Sequence, residues 1–138
     1  MQHNVGTLGD LALYRLKVAE EDLETAQSNI MDGHFRGANN RAYYAIYHAI
    51  TAVLALEETA FKSHKMTIAY FNKTYVKPEI FPRIIGRKIN DAEIIRHASD
   101  YDEFYIASKE ESLKQINTAK EFIDLVKQFV SGKREEIQ

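Results

Sequence analysis

The 138-residue chain is predicted to be all-α, an up-and-down bundle of about five helices. Three observations predict this. Apolar residues recur at spacings of three and four through most of the chain, and no segment alternates with the period of two that strands need. Hydrophobic content of 45% and charged content of 28% are those of an ordinary folded protein. Only two prolines and six glycines occur, with no repeat or low-complexity tract, so the sequence reads as one domain over 1–138 with a core from about 8 to 130.

The first helix is expected from about Leu8 to Met31, where Ala12, Leu16, Ala19, Leu23, Ala26 and Ile30 form a seam. Glu20, Glu21, Asp22 and Glu24 lie mostly off that seam, and Gly33 is a stop signal. The second runs from about Phe35 to Glu57, kept slim by alanines at 38, 42, 45, 49 and 52. A third covers Lys65 to Tyr75, capped by Ser63, with Ile68, Ala69, Phe71 and Tyr75 inward. Pro78 and Pro82 punctuate a short connection before a fourth helix from about Arg83 to Ser99, whose first half is weakened by Gly86. Asp100 to Ala107 reads as a loop anchored by Tyr101, Phe104 and Tyr105. Ser108 and Glu111 form a capping box opening the last helix, with Leu113, Ile116, Ala119, Phe122, Ile123, Val126, Phe129 and Val130 buried and Ser131 to Gln138 frayed.

Several function classes are excluded. There is no cysteine, hence no disulfide or thiolate metal site. The longest apolar stretch, Ala42 to Leu56, is broken by His48 and Thr51 and is shorter than the roughly 20 residues of a membrane span. Met1 to Asp10 lacks the basic start and apolar run of a signal peptide, so a cytoplasmic protein without membrane partners is expected. No phosphate-binding glycine loop or His-Glu-x-x-His motif is present, and the histidines are scattered, so neither metal nor cofactor is expected. The net charge of −2 is uneven: Phe61 to Asn90 carries Lys62, Lys65, Lys73, Lys77, Arg83, Arg87 and Lys88 against Glu79 alone. That patch is a solvated surface unless the fold brings it beside a phosphate site.

One helix face stands out. At about 100° per residue, Asn40, Arg41, Tyr44, His48 and Thr51 share a stripe, with Arg41 and His48 nearly in line. Between Gly37 and Leu56 the only residue charged at any ordinary pH is Arg41, whereas a solvated face carries several Lys and Glu. The stripe is therefore read as a cleft or subunit contact. Histidine moves protons near neutrality and arginine's fork of donors suits phosphate oxygens, the two needs of RNA cleavage by its own 2′-hydroxyl. Asn40 and Tyr44 are candidates to orient the phosphate or the imidazole. On residues alone, a structural Arg–His pair is the commoner explanation of such spacing.

The stretch Asn40-Arg41-Ala42-Tyr43-Tyr44-Ala45-Ile46-Tyr47-His48 resembles the R-x(4–6)-H signature of the HEPN family (higher eukaryotes and prokaryotes nucleotide-binding). Ser63-His64-Lys65 with Ala69-Tyr70-Phe71-Asn72-Lys73, and Arg96-His97-Ala98-Ser99-Asp100-Tyr101-Asp102, resemble a small prokaryotic branch of it. The resemblance implies a homodimer in which the Arg and His of both subunits make a composite, metal-independent ribonuclease site. By the same likeness Arg41 is the phosphate-binding cation, His48 the proton-transfer group and Asn40 the assisting polar residue. It also implies a toxin paired with a nucleotidyltransferase-fold antitoxin. Some such antitoxins adenylylate a tyrosine two residues after the motif histidine, a position held here by Ile50. The alternative is a non-catalytic dimeric module that binds a nucleotide, RNA or the nucleotidyltransferase partner. Arg96, Asp100 and Tyr101 are expected to be a structural network, and His64 a helix cap in preference to a substrate contact.

Overall fold

In a computed structural model that describes residues 2–137, with side chains for 8–133, the protein is built from five α-helices. They are α1 (Gln2–Met31), α2 (Phe35–Ala55), α3 (His64–Phe71), α4 (Arg83–Tyr101) and α5 (Lys109–Ile137), with no strand among the described residues. The expected all-α bundle is what forms. α2 is its axis, packed against α1, α4 and α5. Its alanines at 38, 42, 45, 49 and 52 are all fully buried, so the neighbouring backbones come close without losing packing.

Aromatic bulk fills the volume that the alanines leave. Phe71, Phe81 and Phe122 meet with ring centroids 5.2 to 5.8 Å apart, and Tyr75 and Phe129 join them. Burying each such ring contributes about 1.5–3 kcal/mol.

The helix ends follow local chemistry. Gly33, at φ 78°, closes α1: its N–H donates to Ile30 O, and the N–H of His34 donates to Asn29 O at 2.7 Å. This αL stop needs a residue without a Cβ penalty, as the sequence anticipates. Ser63 caps α3, its hydroxyl accepting from the N–H of Met66 at 3.1 Å, and Ser108 caps α5 through the N–H of Glu111 at the same distance.

Several expectations are corrected. The third helix gives way at Asn72–Val76 to a π turn, whose wider winding places Tyr75 and Val76 in the core. α4 runs unbroken through Gly86, where a Cβ would stand 2.8 Å from Val76 Cγ1, so the glycine admits the π turn against the helix. Ala69 is exposed, and Thr67 is buried in its place. Leu113 is 43% exposed: it lies on the outward face of α5, whose inward face there is made by the buried Ser112, Gln115 and Ile116. Tyr101 and Phe104 are also exposed and anchor nothing inward. The loop is held instead by Arg36, whose guanidinium donates to the carbonyls of Ser99 (2.7 Å), Asp102 (3.2 Å) and Tyr105. α5 stays helical to Ile137, through the stretch expected to fray; Gln138 lies outside the described residues.

Candidate functional site

The stripe on α2 is half-buried, as its lack of charge predicts: Asn40, Arg41, Tyr44, His48 and Thr51 are all of intermediate exposure. Arg41 and His48 face the same way because seven residues make nearly two helical turns. They are joined by a residue from another helix. Asp22 on α1 accepts from Arg41 Nη1 with Oδ1 at 3.0 Å and holds His48 Nδ1 with Oδ2 at 2.8 Å. Its side chain is 12% exposed, against 35% for Arg41 and 29% for His48. The carboxylate is thus the floor of the site, with the cation and the imidazole still open to a phosphate.

Sequence reasoning set Asp22 with the acids lying mostly off the α1 seam and gave it no part in the site. A signal was there: Asp22 is three residues from Ala19 and four from Ala26, both fully buried, so it borders the seam that faces α2.

The ion pair sets the remaining donors. With Nδ1 bonded to a carboxylate, the neutral imidazole carries its proton on Nδ1 and presents Nε2 as a base. Arg41 Nε donates to Asn40 Oδ1 at 2.9 Å, and among the described residues its Nη2 has no partner. The guanidinium lies 4.8 Å over the Tyr44 ring, a cation–π contact that flattens it against the helix.

Asn40 orients the guanidinium and makes no contact with the imidazole; its Nδ2 donates to Asp100 Oδ2 at 2.9 Å. Asp100 in turn lies 3.6 Å from Arg96 Nη1, and the Arg96 guanidinium lies 4.7 Å over the Tyr43 ring. The network expected of Arg96 and Asp100 is therefore present and reaches the site through Asn40. Tyr101 is outside it, 68% exposed beside His97.

His64 is corrected as well. Ser63 is the cap, and the His64 ring packs on Tyr47 with centroids 4.0 Å apart, its Nδ1 being 3.1 Å from the Tyr43 hydroxyl. Burial, and then the nearby Arg96 cation, lowers the His64 pKa. Burial, with the Glu93 carboxylate, raises that of Tyr43. Both shifts favour one arrangement, a neutral His64 accepting the Tyr43 O–H at Nδ1.

The basic segment is divided. Lys62 and Lys65 are exposed beside His64 at the start of α3, whereas Arg83 pairs with Glu79 (3.0 Å) and Lys88 with Glu121 (3.1 Å). Among the described residues no group of three or more His, Asp or Glu side chains is placed to share a metal ion, and no helix is long and apolar enough to cross a membrane. Ile50, where a modifiable tyrosine would sit, is fully buried.

Comparison with known proteins agrees with this architecture. A UPF0332 protein of Thermotoga maritima is 28% identical over 118 residues, covering 85% of this chain and 89% of the relative. A protein of Methanocaldococcus jannaschii, named as a candidate toxin, is 31% identical over 112 residues, covering 81% and 83%. A UPF0332 protein of Gloeobacter violaceus is 31% identical over 83 residues, covering 60% and 66%. The HEPN domain model matches residues 12–129, nearly the whole bundle and every residue of the Arg41–Asp22–His48 cluster, and the chain belongs to the HEPN domain family.

Proposed function

We propose that this HEPN protein is a metal-independent endoribonuclease whose working site is completed by a second copy of the chain, and that it acts as the toxin of a toxin–antitoxin pair. The observation that carries the reading is Asp22 holding Arg41 and His48 side by side, at 3.0 and 2.8 Å, with one nitrogen of each left over. Arg41 Nη2 binds a non-bridging phosphate oxygen, and His48 Nε2 takes the proton of the RNA 2′-hydroxyl. The 2′-oxygen then bonds to phosphorus as the bond to the 5′-oxygen breaks. The leaving oxygen takes a proton from the imidazolium of the second copy. The products are a 2′,3′-cyclic phosphate and a 5′-hydroxyl. Asp22 stabilises the imidazolium while it exists, and Asn40 and Tyr44 keep the guanidinium in place. The name of the M. jannaschii relative supports the toxin role. With a buried Ile50 after the motif, a nucleotidyltransferase-fold antitoxin would act by binding, or at another residue.

A second reading has one observation in its favour. Asp22 takes a donor from both Arg41 and His48, as a purely structural ion pair would. The protein would then be a dimeric module binding a nucleotide, RNA or a partner protein. The two readings separate on RNA cleavage in excess chelator. Nuclease action predicts cutting that falls by about 10²–10⁴-fold in Arg41→Ala and in His48→Ala alike. Cleavage unchanged in both variants rejects this site, and no cleavage by pure dimer favours the module.

A further inference from the structure

Toward the C-terminal end of α2, His48 and Tyr47 form one wall of a cavity of about 460 Å³, which is a size typical of small-ligand sites. Its other walls include Leu11, Arg15, Glu58 and Phe61. Most of the lining is apolar or aromatic, with one cation and one carboxylate, so it is ill suited to a bare phosphate and well suited to a flat heteroaromatic ring.

Its two charged groups are unusual. Arg15 lies seven residues before Asp22 on the same face of α1, yet it makes no ion pair among the described residues and its Nε is buried without a partner. A buried unpaired guanidine nitrogen is costly unless something binds it. Glu58 closes α2 with the same backbone pattern that Gly33 uses for α1: its N–H donates to Ala55 O and that of Thr59 to Leu54 O. It does so at φ 56°, where glycine is favoured and a longer side chain is strained. Its carboxylate is exposed at the cavity mouth and bonds no side chain among the described residues, whereas that of Glu79, the other left-handed glutamate, binds Arg83.

We propose that this cavity is a guanine-binding subsite adjoining the Arg41–His48 centre; its place in RNA cleavage rests on the nuclease reading above. Guanine offers N7 and O6 as paired acceptors for an arginine fork, and N1–H and N2–H as paired donors for a carboxylate. Arg15 and Glu58 take one edge each, and Tyr47 and Phe61 supply stacking surface. Adenine and uracil lack this combination, and cytosine offers the carboxylate a single exocyclic amine. His48 lines the same cavity, so a guanine seated there lies beside the proposed proton-transfer group.

The test is calorimetric titration of the full chain with guanosine, adenosine, cytidine and uridine 3′-monophosphates, beside mapping of cut positions in RNA. The expected result is guanosine binding at least tenfold tighter than any other. That preference is lost in Glu58→Gln and Glu58→Gly, and guanosine affinity falls at least tenfold in Arg15→Gln. Glu58→Gly relieves the left-handed backbone, so it keeps the test valid should another variant fold poorly. Equal binding of the four nucleotides, binding of none, or a guanosine preference that survives both Glu58 variants overturns the subsite. Cutting without base preference also removes the subsite and leaves the nuclease standing. Guanosine binding by a chain that cuts no RNA keeps the pocket as a nucleotide site and removes the nuclease.

Discussion

Arg36 and Arg41 sit five residues apart on α2 and look alike in the sequence. Arg36 spends its guanidinium on three backbone carbonyls, Ser99 in the last turn of α4 and Asp102 and Tyr105 in the α4–α5 connection. Arg41 spends two nitrogens on side chains, Asn40 and Asp22, and keeps Nη2 in reserve beside an imidazole. The first is a staple: its partners are fixed acceptors of a loop that would otherwise leave carbonyls unpaired. The second is a positioned cation, held by groups that themselves belong to a polar network. What distinguishes a structural arginine from one available to a ligand is the count of donors left over.

Breaking the second cluster should have the largest effect. Asp22→Asn keeps the size of the side chain but offers one acceptor oxygen where two are used, so His48 or Arg41 loses its hold. RNA cleavage is expected to fall by roughly 10²-fold or more, with thermal stability little changed, as when the carboxylate behind a catalytic histidine becomes an amide. An Asp22→Asn chain that cuts at the parental rate would return Asp22 to a packing role.

Breaking the first cluster should do the opposite. Arg36→Ala removes charge-assisted bonds to three carbonyls and is expected to cost about 1.5–3 kcal/mol in urea unfolding, while cleavage per folded molecule stays near the parental value. If activity fell with stability untouched, the contrast between the two arginines would be lost.

A smaller effect sharpens the site's acid side. The His64 pKa is depressed in the folded protein, so on acidification the unfolded chain takes up this proton first. Stability should be flat above about 6.5, the ordinary histidine value, and should decline as pH falls below it toward the folded-state pKa. His64→Gln should remove that part of the slope, which is read by comparing melting temperatures of both chains between neutral and mildly acidic pH.

Much of the bundle was legible because helices are written in local patterns. The seam of α1, the stop at Gly33 and the caps at Ser63 and Ser108 depend on residues within a turn or two of one another. The expectations that failed depend on neighbours from elsewhere. Ala69 and Leu113 have apolar side chains at helical positions that no other helix covers, and the π turn sets Val76 against Gly86 of α4 and Tyr75 against Phe129 of α5.

The same division runs through the candidate site. The sequence by itself determined that Arg41 and His48 share one face of a slim helix, because their spacing and the absence of any other charge between Gly37 and Leu56 are local properties of that stretch. Only the tertiary structure decided that Asp22 holds them, that Asn40 links them to Asp100, and that Arg15 and Glu58 share a cavity with His48. Those partners lie on other helices or beyond the end of α2. Which acid of α1 meets α2 is set by how the two helices pack, and hydrophobic periodicity alone does not specify that.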